Sequence, residues 1–349
     1  MNSVKGARGR TAPRTRSKTA PTSEVVARRR PARSAAKTPK ASLNPLSPTA
    51  RLLRKIELIA NPLSGSVGPT AVAEAQAILA EYGLEANIQA PAPSGIPAAL
   101  QNAVDAKPDL IIILAGDGTA RSAAMLCGAN GPLIAPLPGG TMNMLPHARY
   151  GTKPWQEALT DVLSGGVERS VSGGEVGGKP FYVAAILGGP ALFTYVREAA
   201  RAGQIQRALV RAKVAMRRVL SSHLRFVLNH EPPEKAAALT LICPLVSRAM
   251  DEHDRALEAV CLTYKNAVDG FRLGLRTMIS QYVGDWRNDP SVSIRRIRTG
   301  QAWARHNIPA VLDGEPFSLP RRIDIHFRPV AFRALALPET PTAASVAKG

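Results

Sequence analysis

The chain has 349 residues, a formal charge of +19 and 45% hydrophobic residues, which excludes a fibrous or wholly disordered protein and allows one large or two smaller domains. No apolar run approaches the ~18 residues needed to span a bilayer. Three isolated cysteines (Cys127, Cys243, Cys261) and six scattered histidines form no disulfide or zinc pattern, which suits a reducing, cytoplasmic setting.

Charge is concentrated at the amino terminus. Residues 1–50 hold twelve Lys/Arg against the single acid Glu24, a balance of +11 that leaves +8 for the rest of the chain. This arm is rich in Ala, Pro, Ser, Thr and Arg and too poor in large apolar residues to offset ordering entropy, so it reads as disordered. It can be a solvated tail, a polybasic contact for anionic lipid, a nucleic-acid contact or a presequence. Attraction to a membrane surface is the preferred functional reading, and no specific nucleic acid is expected.

From residue 51 to 168, strands alternate with helices. Lys55–Ala60 reads as a strand ending in Asn61-Pro-Leu-Ser-Gly65. Ala71–Tyr82 is an amphipathic helix closed by Gly83. A short strand over Leu84–Ala90 and a helix over Pro97–Ala106 follow. Leu110–Ala115 is a continuous apolar run, too short for a helix and rich in β-branched residues, as in a buried parallel strand. It breaks at Gly116-Asp-Gly-Thr119, and Ala120–Leu126 has helical composition. Leu133–Leu137 is the next strand, ending in Pro138-Gly-Gly-Thr-Met-Asn143. Lys153–Leu163 is the closing helix.

This alternation implies a doubly wound parallel sheet, in which ligands bind beyond the carboxyl ends of the strands. Three glycine- or serine-bearing turns (61–65, 116–119 and 138–143) then face one crevice. Strand, glycine turn and helix present free N–H groups and a positive helix end to an anion. Asp117, a carboxylate among anion-binding groups, makes sense if a divalent cation or a substrate hydroxyl lies between it and phosphate. An ordinary βα loop with a capping aspartate is the competing reading of Gly-Asp-Gly-Thr alone. No Gly-x-Gly-x-x-Gly follows the first strand and no Gly-Lys-Ser/Thr occurs. Lysine is almost absent from these loops, so phosphate charge must be met by N–H groups, a metal ion and an arginine from elsewhere.

Asn61-Pro-x-Ser-Gly65, Gly116-Asp-Gly-Thr119 and Pro138-Gly-Gly-Thr-x-Asn143 together resemble the diacylglycerol kinase catalytic family, which includes bacterial lipid kinases, sphingosine kinases and ceramide kinases. The family's usual motif is Gly-Gly-Asp-Gly-Thr with an Asn-Glu pair just after it. Here Ala115 stands for the first glycine and Arg121-Ser122 for the pair. The resemblance implies ATP as phosphate donor and Mg2+ as cofactor. It assigns cofactor contacts to Asn61, Ser64, Gly65, Gly116, Asp117, Gly118, Thr119, Gly139, Gly140, Thr141 and Asn143, with Asp117 in the magnesium network.

The second half reads as mostly β. Phe181–Leu187, Leu224–Leu228, Ala238–Leu245, Leu257–Tyr264, Val292–Arg298 and Arg322–Phe327 are strand-like, an antiparallel sandwich or barrel. Tyr195–Ser222 carries an apolar stripe at helical spacing with Arg and Lys on its other faces. It is either a solvated surface helix or one drawn to anionic lipid. In Val311-Leu-Asp-Gly-Glu-Pro316, Asp-Gly alone signals a hairpin turn. The family carries Asp-Gly-Glu at this place, which implies Glu315 as general base and Asp313 as a residue that shapes the turn.

The expected architecture is therefore a disordered basic arm (1–50), a doubly wound parallel-sheet α/β nucleotide-binding domain (51–168), an antiparallel β-sandwich lipid-substrate domain (169–337) and a flexible tail (338–349). The resemblance implies that the last strand may return to the first domain. The expected activity is an ATP- and Mg2+-dependent lipid kinase acting on a diacylglycerol-like or sphingoid hydroxyl. Its expected place is cytoplasmic and peripheral to a membrane, with a homodimer as a possible state. A soluble kinase of the NAD kinase type and a non-catalytic nucleotide- or lipid-binding protein of the same fold are the alternatives.

Overall fold

The computed structural model describes residues 43–191, 224–247, 249–251, 253–262 and 292–338. The basic arm before residue 43, the segment Tyr195–Ser222 and the tail from residue 339 lie outside the described residues.

Four parallel strands, β1 (Ile56–Ala60), β2 (Asn87–Gln89), β3 (Leu110–Ala115) and β4 (Leu133–Pro138), lie in the order β2-β1-β3-β4. Every residue of β1, β3 and β4 is buried, because helices cover both faces of this sheet. Leu110, Ile112 and Leu114 join the core containing α1 (Ala71–Glu81) and α5 (Trp155–Gly165). Their neighbours Ile111, Ile113 and Ala115 join the core of α2 (Ile96–Asp105) and α3 (Asp117–Cys127) on the other face. A strand buried on both sides has no polar alternation, which is why the apolar runs are continuous.

Twelve further strands follow among the described residues: β5 (Val167–Val176), β6 (Lys179–Phe181), β7 (Ala184–Gly188), β8 (Leu224–Leu228), β9 (Glu234–Ala236), β10 (Ala238–Ile242), β11 (Leu257–Leu262), β12 (Val292–Ile297), β13 (Thr299–Trp303), β14 (Ile308–Leu312), β15 (Glu315–Leu319) and β16 (Arg322–Ala336). An antiparallel sheet runs β12-β11-β10-β7-β14-β15. The first sheet continues beyond β4 through β16, β13, β8 and β9, with β5 and β6 paired beside β16. Leu187, Leu241 and Leu312 of one sheet share a buried core with Phe226, Ala302 and Ile325 of the other. The second half is thus a sandwich, as its short alternating strands predict.

β16 links the two halves. Ile323 and Ile325 enter the sandwich core, whereas Phe332 and Ala334 enter the core under α2 and α3. Ala334 pairs in parallel with Ile134 of β4. The sequence reading ends this strand at Phe327; two residues on stands Pro329, which cannot donate to a ladder. The register shift between Arg328 and Phe332 accommodates that proline, and the strand resumes.

Among the described residues, β5, β9, β13 and α4 have no counterpart in the sequence reading, which also gives β6 only its last residue and β14 and β15 only as the flanks of the Asp-Gly turn. β5 contains Gly173-Gly174 and no apolar run, yet a Cβ on Gly174 would strike the ring of the fully buried Phe181. α4 (Met144–Tyr150) is short and has Pro146 in its first turn.

Residues 43–50, assigned by composition to the disordered arm, fold onto the body instead. The Asn44 N–H donates to the Glu81 carbonyl (2.8 Å) and the Ser47 N–H to the Leu163 carbonyl (2.9 Å). Leu46 and Ala50 join the core of α1 and α5. These hydrogen bonds and apolar contacts anchor a segment whose average composition argues for disorder. Among the described residues, no helix is long and apolar enough to cross a membrane.

Candidate active site

Because β1, β3 and β4 are neighbours, the three turns at their carboxyl ends lie side by side. The Ser66 N–H donates to the Gly139 carbonyl (3.1 Å) and the Ser66 hydroxyl to the Gly140 carbonyl (2.9 Å), fastening the first turn to the third. A Cβ on Gly140 would lie 2.7 Å from the Gly116 Cα, and one on Gly65 would lie 3.1 Å from the Thr141 Oγ1. Ser64 reaches the same point, its Oγ 3.4 Å from where a Gly116 Cβ would stand. The glycines permit backbone-to-backbone approach, and the result is a crevice floor made of peptide groups and hydroxyls.

Two of the expected contact residues shape this floor. Asn143 is buried with φ +50°, in the left-handed region that asparagine tolerates better than most residues. Its Oδ1 accepts the Gly140 N–H (2.6 Å) and its Nδ2 donates to the Gly140 carbonyl (3.0 Å), closing the third turn on itself. The Asn61 Oδ1 accepts the Leu63 N–H (3.1 Å) in the first turn.

Helix α3 begins at Asp117, with Gly116 extended before it. Asp117, Gly118 and Thr119 therefore form its first turn at the positive helix end; the Thr119 N–H donates to the Gly116 carbonyl (3.1 Å), while those of Asp117 and Gly118 have no intrahelical acceptor. The Asp117 Oδ1 accepts the Leu145 N–H (3.4 Å) at the start of α4. Burial pushes the Asp117 carboxyl above its ordinary range, opposed by the N–H groups of Leu145, Met144 and Asn143 and by His147. Among the described residues, no group of three or more His, Cys, Asp or Glu side chains could hold a metal. Magnesium commonly takes one or two carboxylates and completes its shell with phosphate oxygens and water. The donor set around Asp117 fits that arrangement and no all-protein cage.

The fourth component comes from the sandwich. β14 and β15 form a hairpin whose two-residue turn is Asp313-Gly314, with φ +49° and +87°. This is the turn that Asp-Gly predicts, both residues left-handed. The Asp313 carboxylate accepts the N–H groups of Tyr182 (2.9 Å), Val183 (2.8 Å) and Ala184 (3.1 Å), fixing the hairpin against the strand entering β7. Burial nevertheless pushes Asp313 up to about 6.

Glu315 is the next residue after the turn, and its Oε1 lies directly over Gly118, where any Cβ would collide with it. The hairpin thus delivers one carboxylate to the first turn of α3. Arg121, one helical turn beyond Asp117, approaches the same carboxylate, with Nη1 3.1 Å from the Glu315 Oε2. Its Nε donates to the Pro180 carbonyl (3.2 Å) and its guanidinium lies 4.8 Å from the centre of the Phe317 ring. The Lys179 ammonium lies 5.3 Å from that ring centre. In the sequence Arg121 stands out only as a departure from the family motif. Its i+4 spacing from Asp117, which puts both on one helix face, was the available signal.

Residues 55–176 match the model of the diacylglycerol kinase catalytic domain. The match covers the α/β half and ends with β5. No curated protein matches the chain. A diacylglycerol kinase structure from Bacillus anthracis str. Sterne is similar at TM-score 0.60 and 15% identity, over 82% of this chain and 98% of that one. A second structure from that organism, provisionally named a diacylglycerol kinase, gives 0.62 at 17% identity, over 82% and 97%. At such identities the likeness establishes the fold: a parallel α/β half joined to an antiparallel second half.

Proposed function

We propose that the chain is an ATP- and Mg2+-dependent lipid kinase that phosphorylates a hydroxyl of a diacylglycerol-like or sphingoid lipid. The observation that carries this reading is the position of Glu315, a carboxylate set over the first turn of a helix whose N–H groups suit phosphate. The match of residues 55–176 to the diacylglycerol kinase catalytic domain supports the lipid class.

In this reading the three turns cradle the ATP phosphates through backbone N–H groups and the hydroxyls of Ser64, Thr119 and Thr141. Mg2+, held by Asp117 together with phosphate oxygens, would neutralise charge on the transferred group. Glu315 takes the hydroxyl proton as the lipid oxygen bonds to the γ-phosphorus. The bond from that phosphorus to the bridging oxygen breaks, and its electron pair leaves with ADP. The α/β half up to about residue 168 would hold the nucleotide and the sandwich half the lipid. Attraction of the basic arm to anionic lipid would bring the enzyme to its substrate at a membrane surface.

The test is transfer of labelled phosphate from ATP to a panel of extracted lipids, with Mg2+ or with excess EDTA, by the wild type and Asp117→Asn. The expected result is one labelled lipid class, lost with EDTA and strongly reduced in the variant. Label in a soluble dinucleotide and in no lipid would replace this reading with the NAD kinase type. Nucleotide binding without transfer to any acceptor would make the chain a binding protein.

A further inference from the structure

We infer that Arg121 is a positioning residue for the proton acceptor, holding one oxygen of Glu315 so that the other faces the phosphate turn. The inference rests on the phosphoryl-transfer reading above. It is independent of which acceptor is used.

Glu315 needs such a partner. It stands on β15, the edge strand of the antiparallel sheet, and its side chain is 42% exposed. A glutamate with three rotatable bonds on an edge strand samples many rotamers, whereas a general base must stay within hydrogen-bond reach of one proton. Arg121 supplies the missing constraint. Its guanidinium is itself fixed from three directions: by the Pro180 carbonyl of β6 at Nε, by the Phe317 ring of β15 against its face, and by the Glu315 Oε2 at Nη1. Only 13% of the side chain is exposed. A planar fork held in this way restricts the carboxylate that it contacts, which a flexible ammonium does less well.

The two carboxylate oxygens thereby become unequal. Oε2 is engaged by Arg121, and Oε1 lies over Gly118. Oε1 is therefore the atom that receives the hydroxyl proton. Arg121 also belongs to α3, the helix whose first turn faces the phosphates. The ion pair thus registers the base on the sandwich against the phosphate turn of the α/β half, through residues 194 apart in sequence. It also answers the shortage of lysine in the loops by placing a guanidinium at the edge of the site.

The test is a double-mutant cycle on phosphate transfer, with kcat and KM for ATP measured for wild type, Arg121→Gln, Arg121→Lys, Glu315→Gln and Arg121→Gln/Glu315→Gln. Thermal melting is followed alongside. Arg121→Gln is expected to lower kcat by about 10- to 100-fold, the scale of a misplaced catalytic group, with KM for ATP changed less than about twofold. Arg121→Lys should recover part of the loss. The double variant should be no slower than Glu315→Gln, because Arg121 has nothing left to position. If Arg121→Gln melts early, Arg121→Lys takes its place in the cycle. Losses that multiply independently, or a raised KM for ATP at unchanged kcat, would overturn the inference. If the acceptor proves to be a soluble dinucleotide or water, the lipid reading falls and the same cycle on that acceptor still decides the role of Arg121. Absence of transfer to every acceptor overturns both.

Discussion

Gly118 and Asp313 are both small turn residues beside Glu315, yet they should respond to substitution in opposite ways. Gly118 lies in the first turn of α3, and what a Cβ would meet there is the far end of a flexible side chain. Gly118→Ala should therefore fold normally, since alanine favours a helix over glycine by about 0.5–1 kcal/mol. Phosphate transfer should nevertheless fall by about tenfold or more as Glu315 is pushed aside; unchanged turnover with an unchanged melting temperature would contradict the placement of Oε1. Asp313 is a stability residue. An amide in its place would set an N–H group against the backbone donors of residues 182–184, so Asp313→Asn should cost about 1–3 kcal/mol at neutral pH. Its pH dependence has a definite sign. The folded chain keeps the Asp313 proton up to about pH 6, while an unfolded aspartate loses it near pH 3.9. The contribution of this group to stability is therefore greatest below about pH 4 and declines as pH rises to about 6. Melting curves between pH 4 and 7 should show that decline in the wild type and not in Asp313→Asn. Parallel curves would place the folded pKa near its ordinary value.

At the scale of elements, what could be read from sequence followed from how local the physics was. Strand β3, its glycine turn and α3 were legible because a buried parallel strand and a helix start each leave a short-range pattern. The Asp-Gly hairpin was legible for the same reason, as a turn. What the hairpin does was not: Glu315 meets Gly118 only after the whole chain has folded, and the resemblance to a family, not periodicity, singled it out. The role of Arg121 was not legible because its partners, Pro180, Glu315 and Phe317, come from other strands. β5 and α4 were hidden by Gly173-Gly174 and Pro146, residues that argue against regular structure; in β5 the Phe181 ring takes the space that a side chain at Gly174 would need. The turns also differ in tolerance. A Cβ on Gly140 meets the Gly116 Cα, which is backbone and cannot swing away. Gly140→Ala should thus lose about 1–3 kcal/mol from overpacking and weaken ATP binding, in contrast to Gly118→Ala. Calorimetry and nucleotide titration of the two variants would expose a mistaken assignment if they behaved alike.

Across the whole molecule, β16 makes the two halves interdependent, since its residues enter both the sandwich core and the core under α2 and α3. Trp155 lies in the α/β half and Trp303 in the sandwich, so fluorescence from each should report the same denaturant midpoint. Separated midpoints would mean that β16 does not couple them. The coupling serves the proposed function, because the phosphate turns and the proposed proton acceptor sit on opposite sides of the junction and must be held in register. The most direct measurement is therefore single-turnover phosphate transfer by Glu315→Gln at saturating ATP, with melting temperature and ATP affinity measured on the same preparation. The expected rate is about 10²- to 10⁴-fold below wild type, the range for loss of a general base, with folding and ATP affinity unchanged. A rate close to wild type in a folded, ATP-binding variant would contradict it and remove Glu315 from the chemistry.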